Sequence, residues 1–318
     1  MIVLSNSEAW PGIDDTVSML NNGDNGLDAI ICGIEKVEAE PRIRSVGYGG
    51  WPNLLGDMEF DGAVMDGNTL RTGAVGAVKD HFHVTRIAKK VMEELNHEIL
   101  VGEGATRFAY EMGFECPNPL LEDSKEVWFK KLQEITGEDN PNMSTRPLAH
   151  LNSMITDPEK VRDTTVFLTK DSTDSIYAAT STSGWAWKYP GRLGDSPIVG
   201  AGFYADSRYG AAACTHTGEM TIRANTSYSI VMAMRLGFSL DQAVDMAIEE
   251  LNSLRTGFLA GVVIHAIDKD DNYRVINFGC EEDIKYWVYK SGMSKPEQRI
   301  AERRYMDKRN EMENHNEI

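Results

Sequence analysis

A threonine hydroxyl is a poor nucleophile near neutral pH and needs a base. A threonine at a chain N-terminus carries one, because its own α-amine, with a reference pKa of roughly 7.7–8.0, takes the proton. Asp163-Thr164 stands where cutting the chain would create such a terminus. Before it, residues 116–161 are polar and punctuated by Pro117, Pro119, Pro141, Pro147 and Pro158, the composition of an exposed connection. After it the pattern turns to period two. Val166 and Leu168 alternate with Phe167 and Thr169, Asp171-Ser172-Thr173-Asp174 makes a turn, and 176–182 return as a hairpin whose first residue is Thr164. Thr164 is the candidate nucleophile and Asp163 the residue ahead of the candidate cut. Read alone, an Asp-Thr pair before a strand is usually an ordinary turn.

Two further sets of residues fit the same chemistry. Arg192 and Asp195 share a Gly- and Pro-bracketed loop. Together they can hold the head group of an amino acid, Arg192 gripping the α-carboxylate with two hydrogen bonds and Asp195 taking the α-ammonium. The plainer alternative is a surface ion pair worth about 0–1 kcal/mol. Thr215 and Thr217-Gly218 end a small-residue strand, where a hydroxyl and backbone N–H groups can face an oxyanion or simply close a turn.

The elements that must position these groups are legible from periodicity. Leu27, Ile30, Ile31, Ile34 and Val37 form one helical stripe, ended by Pro41; Val84, Ile87, Ala88 and Val91 form another. Residues 222–236 read as one helix, and Ser239 and Gln242 make a capping box for the next. Strands are expected at 2–4, 59–66, 73–78, 99–101, 209–215, 258–267, 273–278 and 284–289, and the polar residues 295–318 as a solvated extension outside the fold. This order, without long βαβ alternation, suits sheets packed together under outer helices. The chain has 318 residues, 42% apolar, with a net charge of −17. That charge disfavours nucleic acid and anionic membranes as partners. Absence of a basic–apolar leader and well-spaced Cys32, Cys116, Cys214 and Cys280 give the expectation of a cytoplasmic protein with reduced thiols.

Several short matches do not carry chemistry. Gly200-Ala201-Gly202 begins a G-x-G-x-x-A string but lacks the strand before and helix after that a dinucleotide site needs. Asp268-Lys269-Asp270 starts like a calcium loop, yet Tyr273 replaces the glycine and no Glu closes it. His81 and His83 have no third metal ligand placed nearby. No cofactor and no metal are expected.

Val46-Gly47-Tyr48-Gly49-Gly50, Met65-Asp66-Gly67, Val101-Gly102-Glu103-Gly104-Ala105, Asp163-Thr164, Thr180-Ser181-Thr182-Ser183-Gly184 and the block 191–202 occur in the order, and with the residues, that resemble glycosylasparaginases, N-terminal nucleophile (Ntn) hydrolases that cut N4-(β-N-acetylglucosaminyl)-L-asparagine. The resemblance spans nearly the whole chain. It implies an α/β (α+β) fold, a four-layer αββα sandwich of two mainly antiparallel sheets, in a single domain, 1–318. Self-cleavage would divide it into halves 1–163 and 164–318, assembled as a homodimer of cleaved pairs. It makes Thr164 the nucleophile, places Thr182 beside it to hold its hydroxyl or amine, and gives Arg192 and Asp195 the asparagine head group. Thr215 and the N–H of residue 216 become the oxyanion hole, with Gly218 lining the substrate.

The chain also departs from the family pattern. Arg162, Thr165 and Val166 surround Asp163-Thr164 where the family has His-Asp-Thr-Ile-Gly; His216 stands at a glycine position; and Ser7 occupies the place of a pocket tryptophan, for which Trp10 is the candidate substitute. The leading reading is a self-activated amidohydrolase of asparagine side-chain amides such as N4-(β-N-acetylglucosaminyl)-L-asparagine, working through a Thr164 acyl-enzyme. The alternatives are L-asparaginase or isoaspartyl peptidase activity on the same scaffold, or an uncleaved binding relative.

Overall fold

The computed structural model describes residues 1–114, 119–155 and 164–306. Its strands are β1 (Ile2–Asn6), β2 (Phe60–Asp66), β3 (Thr72–Val78), β4 (Ile99–Val101), β5 (Thr165–Lys170), β6 (Ile176–Thr182), β7 (Phe203–Asp206), β8 (Gly210–His216), β9 (Val262–Asp268), β10 (Tyr273–Phe278), β11 (Lys285–Lys290), β12 (Glu297–Ile300) and β13 (Glu302–Arg304). They form two sheets, ordered β12-β11-β1-β5-β6-β2-β3-β4 and β13-β10-β9-β8-β7. Among the described pairs only β3 with β4 and β10 with β13 run parallel. The helices are α1 (Ile13–Asn21), α2 (Gly26–Glu38), α3 (Val84–Glu94), α4 (Gly102–Glu111), α5 (Glu122–Thr136), α6 (Leu148–Ile155), α7 (Gly218–Ala224), α8 (Thr226–Arg235) and α9 (Leu240–Ser253).

Strand alternation sorts side chains into separate cores. Ile2, Leu4, Val166 and Leu168 of the larger sheet pack with Phe203, Ala213, Val263 and Ile267 of the smaller. Val3, Phe167 and Ala179, one step out of phase on the same strands, join the apolar stripes of α1, α2, α3 and α4. The period of two thus buries both faces of the larger sheet. Ala212, Cys214, Ile264 and Ile276 turn the other way and meet α8 and α9. Small residues on β3 let α3 lie against it: a Cβ on Gly73 would stand 1.9 Å from the Ala88 carbonyl oxygen. The α9 capping box forms as its sequence requires.

Three expectations change. The helix read over 222–236 is broken into α7 and α8 at Asn225, whose φ of 47° is left-handed. Asparagine tolerates that region, so a stretch that reads as one helix can break there. Part of the polar C-terminal segment joins the fold, β12 pairing with β11 and β13 with β10. Edge strands can be polar because much of their surface faces water. The connection read as exposed, in which one helix over 125–135 is expected and found as α5, also contains α6, and Leu132 and Met143 bury against Leu54 in a small core of their own. No helix among the described residues is long and apolar enough to cross a membrane.

Candidate active site

Thr164 lies immediately before β5 and is almost wholly buried, 2% exposed. Asn6, at the end of neighbouring β1, anchors this part of the chain. Its Nδ2 donates to the Thr164 carbonyl at 2.7 Å, while its Oδ1 accepts from Val166 N at 3.1 Å and Thr165 Oγ1 at 3.0 Å. The Thr164 hydroxyl meets the Ser196 hydroxyl at 3.0 Å. Ser196 is held from behind, its carbonyl accepting from Thr180 Oγ1 at 2.6 Å. The hairpin thus presents Thr164, and its returning strand fixes the loop that faces it.

Thr182 lies one register step beyond the Thr165–Ser181 pair and so opposite Thr164. Its hydroxyl accepts from Gly184 N at 2.8 Å and donates to the Ser45 carbonyl at 3.4 Å. Ser196, which the sequence reading left without a role, supplies the hydroxyl on Thr164; its place beside Asp195 in the block 191–202 was the available signal. Asp163 and Arg162, and with them the candidate cut, lie outside the described residues.

Asp195 is buried and Arg192 is partly buried, contrary to the surface-pair alternative. The Arg192 side chain is 14% exposed, stacks 3.9 Å over the Trp185 ring, and donates through Nε and Nη2 to Glu219 at 3.2 and 3.0 Å. Its Nη1 is buried without a partner. Asp195 is 1% exposed and accepts from Thr221 Oγ1 at 2.6 Å. Burial pushes its carboxyl up to about 6, against the opposing pull of the Thr221 hydrogen bond and the Arg192 charge. Gly218 is required next to it, since a Cβ there would fall 2.8 Å from Asp195 Oδ1. A buried carboxylate near a guanidinium with a free N–H is suited to a zwitterion carrying the opposite charges.

Thr215 ends β8 and its Oγ1 lies 2.9 Å from His216 Nδ1. Thr217 commits both its N–H and its hydroxyl to the Gly261 carbonyl, at 3.2 and 2.7 Å. Thr164, Thr215 and His216 line one small cavity, of about 10 Å³, with Ser7, Glu8, His265 and Lys285 among the other lining residues. Trp10 is not among them: it is 42% exposed and stacks on Arg42. A larger cleft, about 580 Å³, opens by the β9–β10 turn and contains none of the candidate residues. Asn6, Ser196, Glu219 and His265 lacked a pattern of their own in the sequence, because each acquires its place through strand pairing or loop packing.

A family described as asparaginase matches residues 11–298. Among curated proteins, an N4-(β-N-acetylglucosaminyl)-L-asparaginase of Elizabethkingia miricola is 33% identical over 267 residues, covering 80% of this chain and 72% of its own length. An isoaspartyl peptidase of Salmonella typhimurium is 35% identical over 280 residues, covering 87% and 85% respectively.

Proposed function

The chain belongs to the asparaginase family, and from that premise we propose that it is a self-activated threonine amidohydrolase of asparagine side-chain amides, such as N4-(β-N-acetylglucosaminyl)-L-asparagine. Cleavage of the Asp163–Thr164 bond frees the Thr164 α-amine. That amine takes the hydroxyl proton as Oγ1 attacks the side-chain carbonyl carbon. Ser196, in contact with Oγ1, and Thr182, opposite on β6, orient the nucleophile. The developing oxyanion is held by the Thr215 hydroxyl and the His216 N–H. The C–N bond breaks, the leaving amine departs with the proton, and water then hydrolyses the Thr164 ester to release aspartate.

The observation that carries this reading is the Arg192–Asp195 arrangement, with the Asp195 side chain and the Arg192 Nη1 buried, on the same loop as Ser196, whose hydroxyl reaches Thr164. It supplies charges for an amino-acid head group one residue from the group that touches the nucleophile. The successive helix–sheet, sheet–sheet and sheet–helix cores support the four-layer αββα Ntn arrangement. A homodimer of cleaved pairs in the cytoplasm completes the proposal.

A second substrate reading, asparagine or β-aspartyl peptides, is favoured by one feature. Beside Thr164 the cavity offers Ser7, Glu8 and Lys285 and, among the described residues, no Trp, Tyr or Phe on which a sugar would stack. Intact mass after purification tests self-cleavage: two fragments meeting between Asp163 and Thr164 are expected, and Thr164→Ala stays whole and loses turnover. A wild-type chain that remains intact and inactive would sink the enzyme reading. Turnover of glycosylated asparagine, asparagine and β-aspartyl dipeptides separates the substrates.

A further inference from the structure

His216 has the backbone of the glycine it replaces. Its φ is 83°, in the left-handed region that a residue with a Cβ adopts only at a cost. The ring is not merely accommodated: Nδ1 sits 2.9 Å from Thr215 Oγ1. A second histidine faces the same cavity from the adjacent strand. His265, on β9, is fully buried, and neither of its ring nitrogens has a hydrogen-bond partner, although the Ala213 backbone stands close. Burial first, and then the neighbouring His216 ring, push His265 down to about 3, so it stays neutral at working pH. Glu8, from the turn after β1, and Lys285, on β11, are the charged side chains lining the cavity with the two rings.

A hydroxyl has one proton and two lone pairs. If Thr215 donates to His216, that proton is committed to the ring and cannot reach a substrate oxygen. If His216 Nδ1–H donates to Thr215, the hydroxyl proton is free to point into the cavity. We propose that His216 is a positioning residue whose Nδ1–H donates to Thr215 Oγ1, turning the Thr215 proton toward the oxyanion. The left-handed backbone is what brings the ring to Thr215 while leaving the residue's N–H at its glycine-like position. The neutral His265 closes the cavity behind the pair without adding a competing charge. This role rests on the amidohydrolase reading above and adds to it a side chain that acts through the oxyanion hydroxyl.

The test compares His216→Gly, which suits the backbone but removes the ring, with His216→Asn, which tolerates the same φ and can place an amide N–H near the position of Nδ1. Rates are measured on asparagine side-chain amides by product release, per cleaved chain as quantified by intact mass. The glycine variant is expected to lose on the order of 10–100-fold in kcat with KM within about twofold, a smaller loss than deleting an oxyanion donor outright. The asparagine variant should return to within about fivefold of wild type. In a Thr215→Ala background the glycine substitution should cost less than about twofold, since the ring acts through a hydroxyl already removed. An unchanged kcat in His216→Gly, an asparagine variant as slow as the glycine one, or full additivity with Thr215→Ala overturns the proposal. If His216→Gly does not process itself, His216→Asn decides alone: near-wild-type kcat upholds the role and a loss of about tenfold or more overturns it. A wild-type protein that cleaves itself but hydrolyses none of the amides overturns the parent reading and this role together.

Discussion

Glu38 and Asp195 are both removed from water, at 0% and 1% exposure, and their surroundings differ in kind. Glu38, at the end of α2, accepts from Thr85 N and Thr85 Oγ1 at the start of α3, from Ser181 Oγ on β6 at 2.8 Å, and meets His83 Nδ1 at 3.2 Å. It ties two helices to a strand, and its oxygens are spoken for. Asp195 has the Thr221 hydroxyl, its own backbone N–H and a nearby arginine, and burial still pushes its carboxyl up to about 6. A buried charge well compensated by hydrogen bonds fixes structure, whereas one whose burial outweighs its partners is stabilised by a ligand or a proton. The contrast fits a scaffold role for the first group and the proposed head-group role for the second.

Exchanging the charge at Asp195 breaks the contrast most severely. Asp195→Asn should cut kcat/KM by on the order of 10³-fold, as loss of a buried charge partner for an ammonium implies. The same change should stabilise the ligand-free fold near pH 7.5 by on the order of 1–3 kcal/mol. The sign follows from the raised folded pKa: the unfolded carboxyl ionises near its ordinary value, so stability is lost as pH rises from there through about 6. Chemical unfolding at pH 7.5, with parallel kinetics, checks both; an Asn variant that is less stable and still binds substrate would erase the distinction.

His265 gives the opposite slope. Its folded pKa is depressed to about 3, so its contribution is fully present above the ordinary histidine range and is lost as pH falls from about 6.5 toward 3. Stability should drop by on the order of several kcal/mol across that window, and His265→Ala should flatten the drop whatever it does to the baseline. Denaturation midpoints at pH 4.5, 5.5 and 7.5 resolve the slope.

At Glu38 the expected effect is on folding. Glu38→Gln keeps the shape but turns one acceptor oxygen into a donor facing other donors, costing about 1–3 kcal/mol. KM measured per folded molecule should not move; a KM change larger than the stability loss would place Glu38 in the site after all. The smallest effect belongs to an exposed pair used as reference. Arg107→Ala, which breaks the exposed i,i+4 bridge to Glu111, should leave both the denaturation midpoint and the kinetics unchanged.

Much of the scaffold was legible because its signals are local. The α2 and α3 stripes, the α9 capping box and the hairpin of β5 and β6 each lie within a short window of sequence, where helical or strand periodicity and turn residues act directly. Arg192 and Asp195 were recognisable as a pair for the same reason. The polar strands β12 and β13 were not, since their sequence resembles a solvated tail and only the neighbouring strand edges give their backbone groups partners.

By itself the sequence determined the family blocks, the order of elements and the residue types able to attack an amide and hold an amino acid. Tertiary structure decided which groups meet. Asn6 reaches the Thr164 carbonyl across 158 residues and Ser196 reaches its hydroxyl across 32, while His265 enters the cavity only through the pairing of β9 with β8. Hydrophobic periodicity specifies which face of a strand is buried, but only sheet order and register specify what stands opposite it.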